Sequence, residues 1–162
     1  MTASHRIRID LGTQALDLLD GDRLVARYAV STGCNGPGEQ RDSGCTPRGR
    51  HRIRLRIGDG CPANTVFVGR RPTGEIYSGT LADREPDRDW ILTRILWLSG
   101  CEPGRNRGGQ VDTLRRYIYI HGCPDAAPLG EPLSRGCIRM RNAELIDLFD
   151  RVGVGTIVDI VE

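Results

Sequence analysis

The sequence predicts a mainly β fold, a β-sandwich or barrel-like sheet with one or two short helices. Three observations predict it. Apolar and polar residues alternate in His5-Arg-Ile-Arg-Ile9 and again in His51-Arg-Ile-Arg-Leu-Arg-Ile57, the period of a half-buried strand. The chain has 21 glycines and nine prolines in 162 residues, well above the usual ~12% for the two together, so turns are frequent. The best helical spacing is confined to a short stretch near the C-terminus. The length fits one domain over residues 1–162, because domains commonly run ~100–200 residues.

In chain order, His5–Ile9 opens as a strand. Asp20-Gly21 is a hairpin signal between Ala15–Leu19 and Leu24–Val30. Residues 31–50 are rich in turn formers, including Gly33, Pro37, Gly44 and Pro47. So long a connection is usually functional, and it is read as a candidate flap. In His51–Ile57 the apolar Ile53, Leu55 and Ile57 share one face. Arg52, Arg54 and Arg56 share the other, which is either solvated or turned to an anionic ligand. His5 and His51, set among arginines, are expected to face solvent. Thr65–Val68, Ile76–Tyr77 and Tyr117–Ile120 are short β segments, whereas Ile91–Leu98 fits a strand or a helix. Trp90 and Trp97 are read as core or flap contacts. Asn142 is placed as the N-cap of a helix with Glu144 in its first turn. Leu145, Leu148, Phe149 and Val152 fall on one helical face, Gly153 and Gly155 end the helix, and Thr156–Val161 closes as a strand.

Composition removes several kinds of function. All 23 basic residues are arginine; without lysine there is no Schiff-base chemistry and no phosphate-cradling P-loop. The net charge of +2 is spread among scattered acids, so no nucleic-acid partner is expected. No apolar run reaches the ~18 residues of a membrane span. Arg6, Arg8 and Asp10 interrupt any secretory segment, which predicts a cytoplasmic protein whose six cysteines are thiols. Their irregular spacing gives a zinc site little support, and no metal or other cofactor is expected.

The chemistry concentrates in Tyr117-Ile-Tyr-Ile-His121-Gly122 and in Ser134-Arg-Gly-Cys137-Ile-Arg139-Met140, joined by a loop with Pro124, Pro128, Gly130 and Pro132. A cysteine becomes a nucleophile when a base or cation favours its thiolate. His121, at a strand exit, is suited to be that base, and Arg135 and Arg139 add positive potential. Gly136 permits a tight turn that aims neighbouring N–H groups at a developing oxyanion. Cys123, two residues after His121, is a rival nucleophile that lacks this turn. Tyr119 shares the strand face of His121 and either lines a substrate groove or packs.

The block resembles the catalytic signature of the L,D-transpeptidase (YkuD-type) family, a His-Gly at a strand end followed by a Gly-Cys-Ile-Arg-Met run before a helix. Ser31-Thr32-Gly33 and Thr46-Pro47-Arg48-Gly49 also match, so the resemblance covers about 23–161 and is strongest over 117–161. It implies Cys137 as nucleophile and His121 as base, with the Gly122 carbonyl orienting the imidazole. It also implies the Gly136 and Cys137 amides as oxyanion donors, and Ser134, Arg135, Gly136, Arg139 and Tyr119 as the substrate surroundings. Arg135 stands where the family often has a histidine. The implied substrates are peptidoglycan-derived peptides (muropeptides), opened between an L-centre and a terminal D-alanine. Combined with the expected compartment, the resemblance points to a cytoplasmic L,D-carboxypeptidase of muropeptide recycling; crosslinking or D-amino-acid exchange is the alternative, and an inactive peptide-binding domain a lesser one.

Overall fold

The computed structural model describes residues 4–162. Among them lie ten strands: β1 His5–Asp10, β2 Ala15–Asp20, β3 Arg23–Ser31, β4 Gly49–Ile57, β5 Thr65–Val68, β6 Arg71–Ile76, β7 Ile91–Gly100, β8 Tyr119–Gly122, β9 Ile138–Met140 and β10 Ile157–Val161. Helices α1 (Gly79–Arg84) and α2 (Asn142–Arg151) are joined by single 3-10 turns at Gly109–Val111 and Leu114–Arg116. The strands run β4-β10-β1-β2-β3-β9-β8-β7, and β4 pairs with β7 as well, which closes the sheet into a barrel. The β5–β6 hairpin continues outward from the start of β7. The expected mainly β, barrel-like class is what the chain adopts.

Alternation builds the interior. Ile7 and Ile9, Leu16 and Leu18, Ile120, Ile138 and Met140, and Val158 and Ile160 all point inward, and Leu145, Leu148 and Phe149 of α2 close the core against them. The segment whose pattern fits strand or helix is β7. It is paired on both edges, with β8 on one side and β4 and β5 on the other, and a strand in that position is apolar on both faces, so its spacing mimics a helix.

Five local expectations are corrected. His51 is fully buried rather than solvent-facing. It has the parity of Ile53, so the alternation turns it inward, where its ring nitrogens meet Gly49 O (3.0 Å) and Thr113 Oγ1 (2.9 Å). A register shift between Ile53 and Leu55 then reverses the faces of β4. Leu55 is exposed, and Arg56 lies over the Phe149 ring at 3.9 Å. The strand predicted from Tyr117 starts at Tyr119, because Tyr117 ends a 3-10 turn in the left-handed conformation (φ 58°). Asn142 is the first helical residue, with Arg141 at the cap position. His5 is half-buried, its Nδ1 2.8 Å from Arg151 O.

Burial depresses the His51 pKa from 6.5 to about 4. The unfolded chain therefore binds a proton first as pH falls, and stability is lost between those two values, by roughly 3 kcal/mol from His51. Carboxylates titrate mostly below about 4.5, so the slope of thermal stability between pH 6.5 and 4.5 reports on buried histidine. It should be clearly shallower in His51→Gln; an unchanged slope would mean that His51 protonates without cost.

Candidate active site

The register of β8 and β9 assembles the site. The two strands pair in parallel, Ile120 opposite Ile138, His121 opposite Arg139, Gly122 opposite Met140. Ile120 and Ile138 enter the core. Alternation therefore sends Tyr119, His121, Cys137 and Arg139 to the opposite face together. Cys137 lies beside Tyr119 and diagonal to His121 across the ladder. Its Sγ accepts from the Tyr119 N–H (3.3 Å) and its S–H donates to Tyr117 O (3.3 Å).

The nucleophile turn is held from three directions. Ser134 is buried; its hydroxyl donates to Cys137 O (2.5 Å) and accepts from Gly136 N (3.1 Å), so it ties the loop to itself instead of meeting a substrate. The Ser31-Thr32-Gly33 motif is the backbone rail beneath. Ser31 Oγ donates to Glu131 O (2.6 Å), the Ser134 N–H donates to Thr32 O (2.8 Å), and the Cys34 N–H donates to Ser134 O (2.9 Å). Thr46, fully buried, donates its hydroxyl to Gly136 O (2.8 Å) and accepts from Gly33 N (2.8 Å). Pinning the Gly136 carbonyl fixes the Gly136–Cys137 peptide plane, and in a trans peptide the Cys137 N–H then points the opposite way. Residues 31–50 are thus fastened under the loop through Thr32, Gly33 and Thr46. Gly136 adopts φ +124°, and a Cβ there would press on Cys45 O. Its own N–H is spent on Ser134, so of the two expected oxyanion donors the Cys137 amide is the candidate.

His121 is buried, with Nδ1 2.7 Å from Gly122 O. A donor at Nδ1 leaves Nε2 as the basic nitrogen. Opposite this strand end, β7 carries an irregularity between Leu92 and Ile95, with Thr93 at φ 76°. A β-branched residue in that conformation is a true outlier, and bulges beside active sites re-aim neighbouring groups. Thr93 is held by Asn142, whose Oδ1 accepts from Thr93 Oγ1 (2.5 Å) while its Nδ2 donates to Cys123 O (2.8 Å) and Asp125 Oδ1 (3.1 Å). The residue read as a helix cap is therefore the clamp between α2, β7 and the end of β8. A Cβ at Gly122 would overlap the Asn142 carboxamide and the Leu92 carbonyl.

The electrostatics of the pair are dominated by burial. Burial pushes the Cys137 thiol up to about 12, and it outweighs the Tyr119 N–H and the guanidinia of Arg139 and Arg116. Burial also lowers the His121 pKa. Burial thus favours a neutral thiol beside a neutral imidazole, against the pull of Arg139 and Arg116 toward thiolate. Cys123 is buried, its Sγ on Met140 O (3.4 Å), and its thiol is likewise pushed up by burial.

Cys137 lines a cavity of about 270 Å³ with Phe67, Arg70, Asp89, Arg116, Tyr119 and Arg135 among its walls. Arg135 is exposed, 3.5 Å from Asp87 O. Arg139 belongs instead to a neighbouring cavity of about 180 Å³ and is already paired with Asp89 (3.3 Å). Arg70, Asp89 and Arg116 escaped the sequence reading because each comes from a separate loop with no local motif. Tyr119 packs edge-on against Trp97 (5.8 Å) and also lines the Cys137 cavity.

Two adjacent barrel strands set a buried imidazole and a glycine-turned cysteine on one face, the residue types that thiol acyl transfer uses. Residues 4–160 match the YkuD family, the L,D-transpeptidase catalytic domain, and the chain belongs to that family. It is 27% identical over 160 residues to a Bacillus licheniformis protein named as an L,D-transpeptidase, YkuD, covering 98% of this chain and 67% of that one. Its fold is similar to an L,D-transpeptidase structure from Xylanimonas cellulosilytica (TM-score 0.60, 20% identity, 99% of this chain and 61% of that one). An L,D-transpeptidase from Mycobacterium smegmatis is also similar (TM-score 0.56, 15% identity, 99% and 59%). The chain thus spans about 60% of the length of these solved relatives. No helix among the described residues is long and apolar enough to cross a membrane.

Proposed function

We propose that the chain is a cysteine-dependent L,D-carboxypeptidase that removes the terminal D-alanine from peptidoglycan stem tetrapeptides. The observation that carries the chemistry is the array of Cys137, the diagonal His121 and the Gly122 carbonyl that sets its tautomer. His121 Nε2 takes the thiol proton as Cys137 Sγ adds to the carbonyl carbon of the scissile bond. The oxyanion is met by the Cys137 N–H. Collapse breaks the C–N bond, and the imidazolium returns its proton to the leaving amine of D-alanine. Water then opens the thioester with His121 again as base, releasing a tripeptide.

Two features support water as acceptor and a cytoplasmic role in recycling. The cavity at Cys137 is small, about 270 Å³, which suits the end of one peptide. All six cysteines are free thiols, which suits a reducing compartment. The second reading, transfer to an amine in crosslinking or D-amino-acid exchange, is favoured by the adjacent cavity, which shares Asp89 and Arg135 with the first and could seat an acceptor.

Mass spectrometry of one reaction separates them. A disaccharide tetrapeptide at millimolar concentration should yield tripeptide and free D-alanine with little dimer. Dimer as main product would establish crosslinking, and efficient capture of added D-amino acids would establish exchange. An untouched tetrapeptide, with Cys137 confirmed reduced, would point to a different substrate or to the peptide-binding reading.

A further inference from the structure

We propose that Arg70 reads a carboxylate of the acyl donor at the Cys137 cavity. β5 and β6 are joined by a two-residue turn, with Val68 opposite Arg71 and with Gly69 and Arg70 both left-handed (φ 56° and 66°). Such turns favour glycine, asparagine or aspartate at both central positions, and an arginine there carries backbone strain that nothing in the local chain requires. The side chain accounts for its presence. Its guanidinium lies 4.9 Å from the Trp97 ring centroid and 4.8 Å from that of Tyr117, and Nη1 donates to Tyr119 Oη at 3.1 Å. Three aromatic residues thus hold the fork at the wall of the cavity that Cys137 lines.

The other cavity arginines are less suited. Arg116 spends its guanidinium on Gly38 O (3.2 Å) and Cys45 O (2.6 Å). Arg139 is bound to Asp89 and lies outside this cavity. Arg135 is exposed and not held by aromatic rings. Arg70 has no carboxylate in ion-pair contact among the described residues, and one hydroxyl uses a single donor of its fork. The remaining donors match the bidentate geometry of a carboxylate. The identity of that carboxylate as part of a stem peptide rests on the function proposed above; the anion site itself does not.

The first test is therefore independent of peptide turnover. Alkylation of Cys137 by iodoacetate or iodoacetamide forms the same S–C bond, expels iodide and releases the thiol proton, and only the former reagent carries a carboxylate. Peptide mapping gives the ratio of the two rates at Cys137. Arg70→Gly should lower the iodoacetate-to-iodoacetamide ratio about tenfold, the low end for a charge-assisted bond, while Arg70→Lys, which keeps the charge without the fork, recovers only part of it, and Arg52→Gln, on the far strand β4, leaves it unchanged. Because glycine relieves the turn, the melting temperature of Arg70→Gly should hold or rise. An unchanged ratio in Arg70→Gly, or an equal fall in Arg52→Gln, overturns the anion site.

The second test uses tetrapeptides amidated at the C-terminus or at the side-chain carboxylate of the L-centre. The loss of kcat/KM caused by Arg70→Gly should vanish with one of the two amides, which names the carboxylate. A loss that persists with both overturns the assignment. Failure of the wild type to cleave any tetrapeptide would strike the proposed function while the alkylation ratio still decides Arg70.

Discussion

Replacement of Cys137 by alanine should abolish turnover of a tetrapeptide, whereas Cys123→Ala should retain most of it. The two cysteines lie at opposite ends of the β8–β9 ladder, and both thiols are pushed up by burial, so thiol acidity does not separate them. Geometry does. Each borders one of the two adjoining cavities, but only Cys137 follows a glycine turn held by Ser134 and Thr46. The Cys123 sulfur is buried against Met140 O behind the end of β8. Without the sulfur no thioester forms, and a neighbouring water cannot replace the covalent route. Folding should survive, since Cys137→Ala removes one atom and the hydrogen bonds to Tyr117 and Tyr119, at a cost of about 1–3 kcal/mol. Intact-mass detection of an acyl adduct in the wild type, and its absence in Cys137→Ala at an unchanged circular dichroism spectrum, is the matching readout. Activity in Cys137→Ala together with loss in Cys123→Ala would reverse the assignment.

The parts of this fold that were readable in the chain are those where one periodicity acts alone. β1, the β2–β3 hairpin, α2 and β10 alternate or repeat cleanly between clear turn signals, whereas β9, at three residues, is too short to show a period. The open and the mistaken readings share a physical cause, which is that partners distant in sequence decided them. β7 fits both periods because strands cover both its edges and the core its faces. His51 sits among arginines yet has inward parity, and the Thr113 hydroxyl, 62 positions away, joins the Gly49 carbonyl in satisfying its buried ring. Asn142 has the chemistry of a cap, but the bulge at Thr93 offers its carboxamide better partners. The core of the site, Cys137 with His121 and Gly122, lies within one local block. Its cavity walls come from the β5–β6 turn, the segment before β7 and the 3-10 turn at Leu114–Arg116, where no spacing rule operates. Thr46 shows the intermediate case: its Thr-Pro-Arg-Gly motif was visible, but its task of fixing the Gly136 carbonyl was not.

Removal of the His121 imidazole should cost 10²–10⁴ in kcat/KM, the usual range for a lost general base, and the pH profile shows how the base works. In a thiolate–imidazolium pair the reactive form exists between two pKa values, and activity is a bell. Here burial keeps the thiol protonated, near 12, and lowers the imidazole pKa, so the reactive form is the neutral pair and the proton moves only as sulfur attacks. Protonation of His121 removes the base, hence activity is lost as pH falls through the His121 pKa. Because that pKa is depressed, the midpoint should lie below 6.5, with a plateau across neutrality and no alkaline limb near pH 8. Alkylation of Cys137 should likewise stay slow at pH 7 despite the nearby arginines, and Cys137 should label no faster than the exposed Cys34. In His121→Ala the residual activity should lose this acid limb and rise instead with thiol ionisation at high pH. An acid limb above 6.5, or rapid labelling of Cys137 through a pKa near 7, would show that the site holds a preformed ion pair.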